Sequence, residues 1–178
     1  MNQPPDLTFR EIVSVYADQI YNHAFRMLGN RQDAEEAVQD IFMKVHRGIA
    51  GFRGDSHIRT WLYRITVNTC LTRLRKTPAP LEPEPPGSME QWEAVASDEH
   101  GPDDQLIEED LREFILKGLE MISPAEKEIL LLFHIDGMKY EEIARVLEVP
   151  TGTVCVQIYR ARKKLRAALG DVRRELTR

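Results

Sequence analysis

Cations interleaved with flat aromatic rings are the side chains of this 178-residue sequence best suited to chemistry, and that chemistry is binding rather than bond-making. Arg53, Arg59, Arg64, Arg73, Arg75 and Lys76 face one acid, Asp55, a balance of +5 over residues 53–76, with Phe52, Trp61 and Tyr63 placed among them. Positive charge follows a phosphate backbone and exposed rings stack on unpaired bases, the composition used by surfaces that hold single-stranded nucleic acid. Trp61, beside Leu62 and Ile65, reads locally as core, and Tyr63 is equally a core candidate. A second basic run, RARKKLR, sets Arg160, Arg162, Lys163, Lys164 and Arg166 along the exposed sides of a helix whose first turns are polar, as in a helix entering a DNA groove. The same cations would also offset a helix dipole at a solvated end. No GxSxG, P-loop, HExxH or paired-carboxylate pattern is present, so the sequence does not read as an enzyme. Cys70 and Cys155 fall in different helices without a CxxC or clustered histidines, which indicates neither a disulfide framework nor a zinc site, and no cofactor is expected.

The second basic run needs an element to aim it. Over Tyr140–Leu169, Ile143, Ala144 and Leu147 share one face of a first short helix, and Val154, Ile158 and Leu165 share one face of a second. Glu148, Val149 and Pro150 break the helix between them, because proline lacks an amide hydrogen and restricts the residue before it. The pattern is a helix-turn-helix, with small Ala144 at the crossing and Thr151 expected to cap the second helix. Upstream, Ser123-Pro124-Ala125-Glu126 is a capping box with proline at the first helical position, opening the apolar KEILLLFHI helix that should carry the helix-turn-helix. His134 fits there as a packing or edge residue. Leu106, Leu111, Ile115, Leu119 and Ile122 define a further helix before it.

The first basic surface is positioned by a helical pair. Residues 8–28 show three- and four-residue apolar spacing through Phe9, Ile12, Val13, Tyr16, Ile20, Ala24 and Leu28, and Gly29 ends the helix. Asn30 caps the next one, whose buried stripe is Ala34, Val38, Ile41, Phe42 and Val45 and whose outer face holds Glu36, Gln39, Asp40 and Met43. On the residues alone that face is ordinary solvated surface. Residues 49–56 form a loop with two glycines, and Ser56 is expected to cap the helix that follows.

The net charge of −5 would argue against nucleic acid if charge were uniform, but residues 77–110 hold eleven acids and no Lys or Arg, leaving +6 for the rest. Six prolines between Thr77 and Asp104 make that stretch a flexible, extended acidic connector. The expected organisation is all-α: an N-terminal helical domain over 1–76, the linker 77–104, and a helix-turn-helix domain over 105–178. No long uninterrupted apolar window or signal pattern appears, so the expected location is the cytoplasm without membrane insertion.

Taken in order, the helix pair, the FRGDS loop, the TWLYRI helix, the acidic linker and EEIA…VPTGTV…YRARKKL closely resemble the extracytoplasmic-function (ECF) sigma factors of bacterial RNA polymerase over nearly the whole chain. The resemblance implies promoter-specific transcription initiation with core RNA polymerase and promoter DNA, duplex and melted non-template strand, as partners, and control by an anti-sigma factor. It makes Gln39 and Asp40, with Glu36 and Met43 on the same face, a polymerase-docking surface. Phe52, Arg53, Gly54, Asp55 and Ser56 match a loop that holds an extruded minus-ten base, with Arg64 and Asn68 on the adjoining helix. Thr151, Thr153, Tyr159, Arg160 and Lys163 are placed on the minus-thirty-five duplex. Cys155, Val156 and Gln157 stand where the family pattern has two cations around a small polar residue, and Thr72 stands where it has a carboxylate. Both departures bear on promoter preference. A stand-alone helix-turn-helix regulator would explain residues 123–169 but gives no task to the basic, aromatic helix.

Overall fold

The computed structural model describes residues 8–52, 54, 56–75, 114–115 and 117–176, and the sequence-based linker over 77–104 lies outside them. Among the described residues there are helices and no strands. Helix α1 (Phe9–Leu28) starts from a reciprocal capping box, with the Glu11 carboxylate accepting from the Thr8 amide at 2.7 Å, and ends at Gly29 in the left-handed region at φ +78°. Asn30 then accepts from the Asp33 amide at 2.8 Å and opens α2 (Arg31–Gly48). Ile12, Ile20, Ile41 and Val45 are buried between them with Ile58 and Leu62 of α3 (Ile58–Arg75). Ala34, Ile41 and Val45 of the expected stripe are buried, and Val38 and Phe42 are half-buried at its edge.

Helix α3 begins later than a Ser56 cap would require. The residue before it is His57, whose carbonyl accepts from the Trp61 amide at 3.2 Å while its Nδ1 accepts from the Arg59 amide at 3.4 Å. The imidazole of His57, the residue before the helix, thus meets one of the first amides of α3.

In the C-terminal part, residues 114–115 and 117–120 are helical. Leu119 there is buried and Ile122 half-buried, Ile115 is exposed, and Leu106 and Leu111 lie outside the described residues. The Ser123 capping box is present in both directions and opens α4 (Pro124–Leu130). Its continuation, Leu131–Ile135, widens into a π turn closed by the Asp136 amide on the Leu131 carbonyl at 2.9 Å. Helix α5 (Tyr140–Leu147) ends at Glu148, which occupies the left-handed region at φ 57° where glycine is the usual residue. Helix α6 (Thr151–Leu176) is longer than the apolar pattern suggests. Thr151 is its first helical residue, not its cap: Pro150 stands before it and supplies the carbonyl that accepts from the Val154 amide at 3.2 Å.

The two parts are packed together, which no periodicity announces. Tyr63 and Val67 of α3 belong to the same buried cluster as Ile129, Leu132, Ile143, Val154 and Ile158. Leu131 enters a cluster with Ala24, Met27, Ala34, Ala37 and Cys70. Small alanines on α1 and α2 admit the leucine without displacing backbone.

Candidate nucleic-acid interface

Helix α3 and the loop before it carry the first of the expected surfaces. Phe52 is fixed against Trp61, with ring centroids 5.2 Å apart, and Trp61 lies over Gly48 so closely that an added Cβ would stand 3.0 Å from its ring. Gly48 therefore admits Trp61 at the root of the loop, and the tryptophan is structural, in line with its local core reading. Gly54 has φ +74° and Ser56 is half-buried, whereas Arg53 and Asp55 lie outside the described residues. Tyr63 is core, not a stacking surface: it is 1% exposed, and its hydroxyl donates to Asp136 Oδ1 at 2.9 Å. Burial and the neighbouring Asp136 charge both push that phenol well above the usual tyrosine range.

Arg64 and Asn68 are one helical turn apart on α3 and differ in their surroundings. Asn68 is exposed, and its carbonyl accepts from the Thr72 hydroxyl at 2.6 Å. Arg64 reaches the helix-turn-helix, with Nη1 3.1 Å from the Glu148 carboxylate and Nη2 donating to the Arg145 carbonyl at 2.9 Å. Arg59 donates to the Asp136 carbonyl and lies 5.4 Å from the Tyr63 ring centroid.

On α6 the buried line is Val154, Ile158 and Ala161. With 100° per residue, Val156 and Lys163 fall almost opposite that line, with Tyr159 beside them and Thr153 and Arg160 on the next flank. Gln157, Tyr159 and Lys163 are exposed, and Thr151, Thr153, Cys155, Val156 and Arg160 are half-buried. Cys155 and Gln157 project to opposite flanks, roughly 160° apart around the axis. The cations further along are partly engaged: Arg162 lies 5.1 Å from the Phe133 ring centroid and donates to His134 Nε2 at 3.0 Å, and Lys164 is 2.7 Å from Glu126. His134 is thus an exposed edge residue, and its imidazolium is disfavoured by burial and by Arg162.

The outer face of α2 presents Glu36, Gln39 and Met43 to solvent, Met43 at 51% exposure. Asp40 is half-buried because Arg73 of α3 crosses to it at 2.5 Å and to Glu36 at 3.2 Å. Arg73 belongs to the basic run that reads as phosphate-following. Its engagement with α2, across 33 residues of sequence from Asp40, has no local signature that could have revealed it. Beside these acids, Phe9, Gln39, Phe42, Met43, His46 and Arg47 line an open apolar groove, with the Phe9 and His46 rings edge-on at 5.0 Å. Cys70 is buried, which with Glu128 pushes its thiol up to about 12.

Residues 12–78 match the Sigma-70 region 2 family and residues 114–165 match Sigma-70, region 4. A helical pair with a basic third helix, followed by a helix-turn-helix, is therefore a two-region protein of the sigma-70 class. The chain is 32% identical to the ECF RNA polymerase sigma factor SigW of Bacillus subtilis, over 92% of this chain and 90% of SigW. It is 33% identical to the ECF RNA polymerase sigma-E factor of Escherichia coli K12, over 82% of this chain and 80% of that one. The fold is similar to that of the sigma factor RpoE of Bartonella quintana in its co-crystal structure with the anti-sigma factor NepR, with TM-score 0.65 and 21% identity over 91% of this chain and 96% of that one. The chain belongs to the ECF RNA polymerase sigma factors, non-enzymatic initiation factors that bind core polymerase and promoter DNA.

Proposed function

We propose that this sigma factor divides its work among three surfaces. The α2 face of Glu36, Gln39, Asp40 and Met43, with the adjoining apolar groove, docks on core polymerase. The Phe52–Ser56 loop together with Arg64 and Asn68 holds the melted non-template strand at the minus-ten element. The outer side of α6, through Thr151, Thr153, Val156, Tyr159, Arg160 and Lys163, reads the minus-thirty-five duplex, with Cys155 and Gln157 on its flanks. The observation that carries the assignment is the separation of chemistry by face: acids and an apolar groove on α2, cations on α3, polar and basic side chains on the outer line of α6. An acidic and apolar face suits a protein partner, and cationic faces suit phosphate.

The chain acts in the cytoplasm; among the described residues no helix is long and apolar enough to cross a membrane. An anti-sigma protein restrains it, a mode of control supported by the fold's likeness to RpoE in its complex with NepR. The test is run-off transcription by sigma-free core polymerase supplied with the purified chain. Promoter-specific transcripts are expected, and duplex binding without transcripts would point instead to a stand-alone helix-turn-helix regulator.

A further inference from the structure

The interface between the two parts contains a buried ionic cluster that none of the three proposed surfaces uses. His23 of α1 places Nε2 2.9 Å from the Glu128 carboxylate of α4 and Nδ1 2.7 Å from the Asp136 carboxylate that follows the π turn, with side-chain exposures of 0%, 1% and 7%. Two carboxylates on the two ring nitrogens require both nitrogens to donate, so the ring is an imidazolium. Tyr63 donates to the other Asp136 oxygen at 2.9 Å, Arg59 donates to the Asp136 carbonyl, and Lys127 donates to the Met27 carbonyl at 3.4 Å. All of these bonds join the N-terminal part to the C-terminal part.

Such a cluster is specific without being strongly stabilising. Charges taken out of water recover little net free energy from one another, while removing one member strands the others. Glu128 Oε2 is buried without a partner, which adds a cost that hydration would relieve on opening. A purely apolar seam would lose nothing by staying shut; this one returns an imidazolium and two carboxylates to water when it parts.

The packed arrangement is also incompatible with reading a promoter. Arg64, proposed for the minus-ten strand, touches Glu148 and Arg145 at the end of the first helix of the helix-turn-helix. The two promoter elements, about 25 base pairs apart by position, are separated by roughly 85 Å of duplex at 3.4 Å per base pair. One chain cannot contact both while its two reading parts touch. Glu36, Gln39 and Met43 of the α2 docking face, in contrast, stay exposed in the packed form.

We infer that His23, Glu128 and Asp136 form a latch that holds the chain in a closed, autoinhibited state, and that promoter engagement requires the latch to part. The inference rests on the sigma-factor surfaces proposed above. Its test uses the full chain in two measurements, the radius of gyration by small-angle scattering and the chain concentration giving half-maximal run-off transcription. In His23→Gln a neutral side chain leaves both carboxylates short of a cation, and the ratio of closed to open chain falls about 100-fold or more. The radius then rises above that of the native chain, and the half-maximal concentration drops by at least about tenfold if the native chain is mostly closed. In His23→Leu with Glu128→Met and Asp136→Asn no buried charge is left without its partner, and the asparagine side-chain oxygen can still accept from Tyr63. The ionic cluster becomes apolar contact, so the chain stays compact and needs a higher concentration to transcribe. Should His23→Gln lose helix content, the triple variant decides, since folded, compact and less active is a result misfolding does not give. An extended native chain, an unchanged radius in a folded His23→Gln, or native-like transcription by the triple variant each overturns the latch. A radius that responds as expected in chains that never support transcription supports the latch and defeats the sigma-factor surfaces instead.

Discussion

Restoring charge to the flanks of α6 should steepen the salt dependence of upstream DNA binding, by an amount the helix geometry sets. Each neutralised phosphate contributes a slope of about −0.9 in log affinity against log salt. Gln157 and Cys155 lie on opposite flanks with Val156 between them on the outer line, so a helix lying in the major groove would direct one flank toward each phosphate wall and Val156 toward base edges. Gln157 is exposed, and Gln157→Arg should add one full contact. Between about 50 and 200 mM salt, a roughly fourfold change, that contact costs a further ~3.5-fold in affinity. Cys155 is half-buried, so Cys155→Arg must turn past its neighbours and should add less. The double variant is bounded near a slope change of ~1.8, or ~12-fold over the same range.

The assay is fluorescence anisotropy of a labelled minus-thirty-five duplex across a salt series. The full chain is the right species for it, because residues 105–178 alone would expose the apolar seam that Ile129, Leu132 and Ile143 form against Tyr63 and Val67. Cations elsewhere contribute equally to all variants and cancel in the difference. Sequence preference should survive Cys155→Arg and should survive Gln157→Arg unless Gln157 reaches an adenine edge. Identical slopes in native, single and double variants would refute the reasoning, since the flanks of α6 would then not face phosphate and the recognition surface would have to be rotated around the axis.

Asp40→Lys should weaken binding to core polymerase by about tenfold, about 1.4 kcal/mol, in a titration at physiological salt, with helix content unchanged. Because that lysine would also face Arg73, Arg73→Ala is the control: it frees Asp40 and should cost less, and equal losses would mean that the α2–α3 contact, not docking, was measured. Asn68→Ala should slow open-complex formation on duplex promoter and matter less on a pre-melted bubble; equal effects on both would remove strand opening from its role. Closure should depend on pH. Burial alone would depress the His23 imidazolium, but Glu128 and Asp136 prevail and raise it to about 10 from an ordinary value of 6.5. A raised value means that the closed state holds the extra proton: its stabilisation is complete below about pH 6.5, declines by up to tenfold in equilibrium constant per pH unit above that, and is gone past about 10. Tyr63, Lys127 and Arg59 also face the cluster, so the comparison is with His23→Gln, whose radius of gyration should lack the response between about pH 7 and 9.

Local rules make the elements legible. Gly29, Asn30 and the Ser123 box act within a few residues of themselves, and each appears where the residues place it. The same holds for the apolar lines of α1, α2 and the helix-turn-helix, because burial imposes their period directly. Two caps differ from expectation by one residue each, at His57 and Pro150, where an imidazole and a proline carbonyl serve in place of a hydroxyl. The π turn is not legible either: an uninterrupted Leu-Leu-Leu-Phe run satisfies three-, four- and five-residue spacings alike. Of the candidate surfaces, exposure on α2 and α6 follows from helical phase, whereas the partners of Arg64, Arg73 and His23 come from 33 to 113 residues away. A charge gives no sign in sequence of which distant charge it will meet.

Those distant partners share a pattern that bears on function. In the closed chain Arg59 is held by a backbone carbonyl of the C-terminal part, Arg64 by Glu148 and the Arg145 carbonyl, and Arg73 by Glu36 and Asp40. The cations that a strand of phosphate would recruit are thus already engaged by acceptors of the chain itself. Phosphate must compete with them, and the competition differs by site. The Arg64 pair is exposed enough that water screens it and little is lost on exchange. Arg59 is tied to the loop that also holds His23, so freeing it and parting the buried cluster are one event. Glu148 sharpens the point, because it keeps a left-handed backbone position that glycine would occupy without strain, and its carboxylate faces Arg64. On the promoter-contacting role proposed above for Arg64, and for Arg59 beside it, the Asp136 and Arg145 carbonyls and Glu148 stand where phosphate would, and opening exchanges one set of acceptors for the other; the Arg73 pair lies within the N-terminal part and is unchanged by it.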